Sequence, residues 1–422
     1  MQFPQKYMDI IEKLKQYRTT TSALVQDPQS AITELCMQLG GQIIDPLYPA
    51  VIRILKEYSY SSFLPDLDTK FSPIIHLPLL TKNEFSEPIP LNKIVMFDLE
   101  TTGLAGGTGT YPFLLGFGVF TGEGIEIRQY FLPDYGRESI PYSEMLNCFS
   151  GKEVLVSFNG KSFDFPLLNN RFILNRIRNP FLTFQHLDLL HPARRIWKSL
   201  LESCSLNNIE NQIFQFSRWN DISGYMIPQV YFDFVRSGNL QEILRVITHN
   251  QQDIITMGRL LLHFNWLEHG ADHHGIHELE LQNLCNLAIS NFDQERSDIL
   301  VDRLREKNKL TPDVTLTGYS LLLKRTGRWE EAVALWQELI QSGKNTLFAM
   351  EELAKFYEHR KIDIPKAKFY AERALEYLEL LDELTAKDVY RSGQDQFLHR
   401  LQRLQRKMVS SSVSPDKEKN IT

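Results

Sequence analysis

The chain has 422 residues, 43% hydrophobic, 23% charged and 11% aromatic, which is too long for one compact core and predicts two or three domains of ordinary globular composition. A net charge of −6 excludes a protein that coats long stretches of nucleic acid through a basic surface, but not an enzyme that grips a chain end. No apolar run is long enough for a membrane span, no signal-peptide pattern opens the chain, and Cys36, Cys148, Cys204 and Cys285 form no C-x-x-C pair, so a cytoplasmic protein with reduced thiols and no zinc or disulfide framework is expected.

Residues 1–90 hold helix-like segments at Met8 to Tyr17, Ser30 to Leu39 and Tyr48 to Tyr58, then a Pro- and Ser-rich connector from Phe63-Leu64-Pro65 to Pro88-Ile89-Pro90. This region is expected to be mainly helical, and no function is assigned to it. From Ile94 the pattern changes to short apolar runs at Ile94 to Leu99, Phe113 to Phe120, Ile125 to Leu132 and Val154 to Phe158. Such runs followed by helical segments predict an α/β domain over 91–268, a mixed sheet with helices packed on it.

On the first strand Asp98 and Glu100 are two residues apart and share a face. Paired carboxylates raise each other's pKa unless a cation lies between them, and hard divalent ions take such oxygen ligands. The pair reads as half of a magnesium or manganese site, with a solvated strand edge as the alternative. The turn Gly103-Leu104-Ala105-Gly106-Gly107-Thr108-Gly109-Thr110 lacks the Gly-Lys-Ser/Thr ending of a P-loop and opens a strand, so it reads as a hairpin loop whose small residues would also admit a polynucleotide backbone.

After the fourth strand, Asn159-Gly160-Lys161-Ser162-Phe163-Asp164 leads into a helix with Leu167, Leu168 and Phe172 on one face. Asp164 is there a helix cap or a third acidic ligand, while Asn159 and Lys161 either touch a terminal nucleotide or shape the turn. Asp188 follows an apolar run and is expected to end a central strand, with Arg194, Arg195 and Lys198 on the next helix. Those cations would hold phosphates near an acidic site, or form a solvated helix face. His186 and His191 read as structural, and Trp219 as packing rather than a base-stacking residue. On the helix from Val246 to Ile255, His249 and Asp253 are four apart and share a face.

Together Asp98, Glu100, Asp164 and Asp253 supply what two-metal phosphodiester hydrolysis requires, with two Mg2+ or Mn2+ ions roughly 3.5 to 4 Å apart clamping the attacking water and the leaving oxygen. The unperturbed pKa of histidine suits the general base, and His249 lies one helical turn from Asp253.

These segments, D-x-E-T-T-G on a strand, N-x-x-x-x-D after a strand and H-N-x-x-D on a helix, resemble the DEDD exonucleases of the ribonuclease H-like superfamily and most closely the YprB-like family. The similarity runs from about Lys93 to Leu262 and includes His186-Leu187-Asp188-Leu189-Leu190-His191-Pro192-Ala193-Arg194-Arg195. It implies a ribonuclease H-like fold, Asp98, Glu100, Asp164 and Asp253 as metal ligands, His249 as general base, and hydrolysis of nucleic acid from its 3′ end. One departure stands out. Three residues separate His249 from Asp253, the spacing of the tyrosine variants, whereas four are usual with histidine, and one residue rotates a helical side chain by about 100°.

From 277 to 408 the sequence is almost continuously helix-compatible and predicts an all-α domain. The stretches Tyr319 to Trp336 and Leu353 to Leu375 look alike, with Ala332 and Ala367 35 positions apart, near the tetratricopeptide period of 34. This resembles a short tetratricopeptide-like array, which would offer a groove to a protein partner, or else a packing extension of the catalytic domain. Residues 409–422 read as a disordered tail. The function expected is a metal-dependent 3′-to-5′ exonuclease acting on DNA or RNA, away from membranes. The alternatives are a non-catalytic scaffold and a structure-specific endonuclease.

Overall fold

The computed structural model describes residues 28–45, 47, 50–64, 71–103, 109–269, 276–306, 313–385 and 391–412. The chain divides into two compact units, Met1–His274 and Gly275–Thr422.

The first unit is built on a seven-stranded mixed sheet. Its strands are β1 (Gln42–Asp45), β2 (Val51–Ser59), β3 (Ile94–Thr101), β4 (Pro112–Phe120), β5 (Gly124–Phe131), β6 (Val154–Ser157) and β7 (Gln185–Asp188), in the order β1-β2-β5-β4-β3-β6-β7. β3 pairs antiparallel with β4 and parallel with β6, so it lies where the sheet changes sense. The helices are α1 (Pro28–Leu39), α2 (Ser139–Cys148), α3 (Asp164–Leu174), α4 (Leu190–Trp197), α5 (Leu206–Gln212), α6 (Ile227–Ser237) and the long α7 (Leu240–His269).

Val95, Phe97 and Leu99 point into the main core, with Phe117, Phe172, Phe181 and Tyr231 among its large buried rings. The alternate residues Met96, Asp98 and Glu100 take the other face, as the period of two requires. There Asp98 pairs across the strands with Gly116, and Gly116 with Gln129, so one row runs beneath α7. A methyl group on Gly116 would run into Asn250 and come within 2.7 Å of Ile254, and one on Gly118 would strike Ile254 as well. The two glycines of Leu115-Gly116-Phe117-Gly118 therefore let α7 lie close on the sheet.

Two expectations are corrected. The helix expected over Tyr48 to Tyr58 is the strand β2, which pairs antiparallel with β5 from Ile52 to Ser59 and buries Val51, Ile52 and Ile54. Asp188 ends a strand, but β7 lies at the edge of the sheet rather than at its centre. The Ser30 to Leu39 helix is present as α1; the one at Met8 to Tyr17 lies outside the described residues, as does 104–108 of the glycine-rich turn. The connector is packed where it is described: Glu268 accepts from the backbone N–H groups of Leu79 and Leu80 at 2.7 and 3.0 Å, and Asn265 from that of His76 at 2.8 Å.

The second unit is all helical: α8 (Glu278–Ser290), α9 (Gln294–Glu306), α10 (Asp313–Arg325), α11 (Trp329–Gln341), α12 (Thr346–His359), α13 (Ile364–Thr385) and α14 (Arg391–Ser412). Ala354, Ala367, Ala371 and Ala374 are fully buried in the seam of α12 to α14, and the buried Glu358 accepts from Arg400, Arg403 and Lys407 of α14. α14 continues to Ser412, past residue 409 where the tail was expected to begin; 413–422 lie outside the described residues. No described helix is long and apolar enough to cross a membrane.

Gly116→Ala is expected to lower stability by about 1–3 kcal/mol in urea unfolding, because the added methyl has no room beneath α7. Gly122→Ala, where an added methyl meets nothing, is expected to leave the midpoint unchanged. Equal midpoints for the two variants would contradict the close approach.

Candidate metal centre

Three elements deliver the acidic side chains. β3 carries Asp98 and Glu100 on its α7 side, Asp164 is the first residue of α3, and α7 brings His249 and Asp253. The tightest group is Glu100, His249 and Asp253, whose ligand atoms all lie within 4.8 Å of one another. Asp98 and Asp164 join them electrostatically. Burial above all, then the charges of Asp253 and Asp164, push Asp98 well above the usual carboxylate range. Burial and the charges of Asp98, Asp253 and Asp164 do the same to Glu100. Asp164 is raised to about 7 by burial, then by Asp188 and Asp253.

Amides hold this arrangement from beneath. Asn250 donates to Asp98 Oδ2 at 2.8 Å and accepts from Gln129 at 2.7 Å, and Gln129 in turn accepts from Gln251 at 2.6 Å. Gln129 is completely buried, so each amide of the chain depends on the next for its partner. The run His249-Asn250-Gln251-Gln252-Asp253 is thus polar on the faces of α7 that meet the sheet and the site, not only on an outer face.

The loop before α6 supplies residues that the sequence reading passed over. The Arg218 guanidinium donates in fork fashion to Glu210 at 2.6 and 2.7 Å and to Asp253 Oδ1 at 2.5 Å. Burial works against its charge, but these carboxylates hold it ionised. Thr256 donates to Glu210 from the far side. His249 Nδ1 lies 2.7 Å from Asp221 Oδ1 and 3.3 Å from Arg218 Nη1. A carboxylate only accepts, so at the shorter distance Nδ1 donates its proton to Asp221 rather than accepting from the more distant Arg218. That leaves the Nε2 lone pair on the side of Asp253, whose Oδ2 is 3.6 Å away. The four-residue step from His249 to Asp253 therefore does turn the imidazole into the site. Arg218 and Asp221 were hidden in sequence because they meet the site only through the fold; the acidic and basic residues spaced around an otherwise polar loop were the only hint.

The remaining candidates fall into two groups. Asp188 faces inward, accepting from the backbone N–H groups of Asn159, Lys161 and Leu190 at 2.8, 3.2 and 3.0 Å, and so fixes the loop that ends at Asp164. Asn159 and Lys161 are exposed on that loop, Asn159 in a left-handed conformation with φ 63°. Arg195 donates to the Leu80 carbonyl and Arg194 is exposed on α4; among the described residues neither bonds to the acidic cluster. His186 packs between Phe97 and Phe165 beside Ser157, and burial lowers its pKa to about 4. His191 is exposed. Trp219, expected to pack, is 93% exposed.

Among the described residues no Lys or Arg pairs with Asp98, Glu100 or Asp164, and Arg218 is matched by Glu210 as well as Asp253. The Arg218 charge also reaches Asp98 and Glu100, but one guanidinium does not balance the cluster; desolvated carboxylates without a full counter-charge are costly, and hard oxygen donors of this kind fit a divalent cation. The donor set therefore suits a metal, with Glu100 and Asp253 at its centre.

A sequence profile of the RNase H superfamily matches residues 95–265. Over 295 residues the chain is 34% identical to the uncharacterized protein YprB of Bacillus subtilis (strain 168), which covers 69% of this chain and 71% of the relative. Among solved structures it is similar to the family B DNA polymerase from the hyperthermophilic archaeon Pyrobaculum calidifontis, with 12% identity, a TM-score of 0.33, and 58% of this chain and 34% of that chain covered. The chain thus spans about a third of that polymerase.

The raised Asp164 gives a pH test. Its carboxyl is neutral in both folded and unfolded protein below about pH 4, and the folded state resists ionisation up to about pH 7, so metal-free stability is lost as pH rises through that window. With chelator present, Asp164→Asn is expected to melt a few degrees above wild type at pH 8 and level with it at pH 4. A surface aspartate would show no difference at either pH.

Proposed function

We propose that this chain, which belongs to the YprB family and carries an RNase H superfamily domain over residues 95–265, is a divalent-metal-dependent nuclease that hydrolyses DNA or RNA from the 3′ end. The observation that carries this reading is the convergence of Asp98, Glu100, Asp164 and Asp253 from three elements around His249, with Glu100, His249 and Asp253 in mutual reach. These four carboxylates would hold the metal, two ions of Mg2+ or Mn2+. When bound, such ions neutralise charge on the scissile phosphate and lower the pKa of the attacking water.

The chain's own residues supply the rest. His249 Nε2 accepts the proton of the water, while Asp221 on Nδ1 fixes the tautomer and stabilises the imidazolium that results. Arg218 ties Asp253 to the loop that bears Asp221, so ligand and base keep one geometry. Attack at the 3′ end, rather than internally, is supported by the likeness of the D-x-E-T-T-G and H-N-x-x-D segments to DEDD exonucleases. In the second unit, α10–α11 and α12–α13 are helix pairs in which Ala332 and Ala367 are both fully buried, which supports a tetratricopeptide-like surface for a protein partner.

Single-stranded DNA and RNA labelled at either end, incubated with Mg2+ or Mn2+, are expected to shorten from the 3′ end, and Asp98→Ala to abolish this. His249→Gln is expected to slow turnover by about 100-fold or more while keeping the Mn2+-dependent rise in melting temperature, which Asp253→Asn loses. Loss of that rise in His249→Gln would make the histidine a ligand instead of the base. Internal cuts would favour an endonuclease, and no cleavage of any substrate a scaffold.

A further inference from the structure

We propose that the edge of the second unit on which Phe292 and Ile362 stand docks a second copy of this chain, the two edges lying antiparallel about Gly327. The inference is independent of the nuclease reading.

The helical unit is more regular in structure than in sequence. The second helices of three successive pairs, α9, α11 and α13, begin at Gln294, Trp329 and Ile364, 35 positions apart each time. Three residues into these helices Ser297, Ala332 and Ala367 are fully buried, and their N–H groups donate to the carbonyls of Asp293, Arg328 and Asp363 at 3.0, 3.1 and 3.0 Å. Two residues ahead of each helix the backbone passes through the left-handed region, at Phe292 with φ 59°, Gly327 with φ 82° and Ile362 with φ 57°. Equivalent positions of a stacked repeat line one edge of it. Neighbouring turns touch along this edge. Thr326 donates to Gln294 at 2.9 Å, the Arg325 guanidinium lies 3.7 Å from the centre of the Phe292 ring, and that of Arg360 lies 5.5 Å from the Trp329 ring.

Glycine is the residue such a turn calls for, because a left-handed φ crowds any Cβ against the backbone. Gly327 meets that demand, whereas Phe292 and Ile362 do not. Among the described non-glycine residues with positive φ these two are apolar and the other eight are polar, and a β-branched side chain tolerates the region least. Strain of this kind is retained where the side chain has a use. The unit itself makes little use of either, for they are 55% and 67% exposed. Two apolar side chains thus stand in water on turns that glycine would suit better, as contact residues do.

The charges of the edge identify the occupant. Asp293, Glu331 and Asp363 are each matched by a cation three residues away, Arg296, Arg328 and Lys366. The exposed Glu295, Glu330, Arg325, Arg360 and Lys361 have no opposite charge as partner among the described residues. Since both signs are present, the edge suits neither a polyanion nor a uniformly acidic surface; it suits its own reverse. Laid antiparallel on a copy of itself with Gly327 at the two-fold axis, it sets Phe292 on the Ile362 of the other copy, Glu295 opposite Arg360 and Lys361, and Arg325 opposite Glu330. An added methyl group on Gly327 meets nothing in its own chain, so the bare turn leaves room for the two backbones to approach at the axis.

Sedimentation velocity of the full-length chain over a wide concentration range is expected to show a reversible monomer–dimer equilibrium. Ile362→Gly and Phe292→Asn introduce residues that accept a left-handed φ. Each is expected to weaken the dimer by about tenfold or more, since one substitution removes two contacts of a symmetric interface. Dilute Ile362→Gly protein should melt no lower than wild type, because glycine relieves the strain. Glu295→Lys and Lys361→Glu should each weaken the dimer too, while an equimolar mixture of those two proteins should dimerise as wild type does, a rescue that only the antiparallel pairing produces. A chain that stays monomeric at every concentration overturns the proposal, as does a dimer that survives both Ile362→Gly and Phe292→Asn unweakened. A mixture of the charge-reversed proteins that remains monomeric overturns it as well.

Discussion

The closeness of α7 to the sheet is the constraint on which the rest of the first unit depends. One helix delivers Asn250 to Asp98, His249 and Asp253 to Glu100, and Ile254 to the floor between β3 and β4. This is possible only because Gly116 and Gly118 present no side chains there. The same contact buries the carboxylates, and burial is the largest cause of the raised pKa values of Asp98 and Glu100. Packing and electrostatics thus share one origin. A helix standing a side chain's width further out would leave a hydrated set of acids with ordinary affinities for protons and weak affinity for a metal.

Arg218 manages the charge that this crowding creates. With its fork on Glu210 it is held in place at little cost in exposed charge, and the second proton of Nη2 restrains Asp253. Asp221 does the corresponding work for His249 by holding the proton on Nδ1. Both come from one loop, so the orientations of His249 and Asp253 are coupled through a few residues of backbone. Asp188 plays a like part on the opposite side, with its two carboxylate oxygens spent on the N–H groups that shape the approach to Asp164. The cluster is preorganised by groups that do not themselves belong to it.

Much of this was legible in the chain itself. The runs from Ile94, Phe113, Ile125 and Val154 appear as strands within a residue or two of the expected bounds, because apolar runs of that length bounded by turns leave little choice. Asp98 and Glu100 followed from the strand period and His249 and Asp253 from the helix period. The strand β2 was misread since Val51, Ile52, Ile54, Leu55 and Tyr58 satisfy helical spacing as well as alternation, and what selects the strand is β5, more than seventy residues later. Arg218, Asp221 and Gln129 escaped for the same reason: their roles exist only in partners distant along the chain. Trp219 was taken for packing because exposure is not written in a loop's composition.

If the carboxylates form a divalent cation site, anomalous diffraction from a crystal soaked in Mn2+ will show a peak between Glu100 and Asp253, with Asp98 or Asp164 within coordinating distance of that ion or of a second one beside it. A map with no anomalous density among these four residues, at an Mn2+ concentration that saturates exposed acidic sites elsewhere, would contradict it.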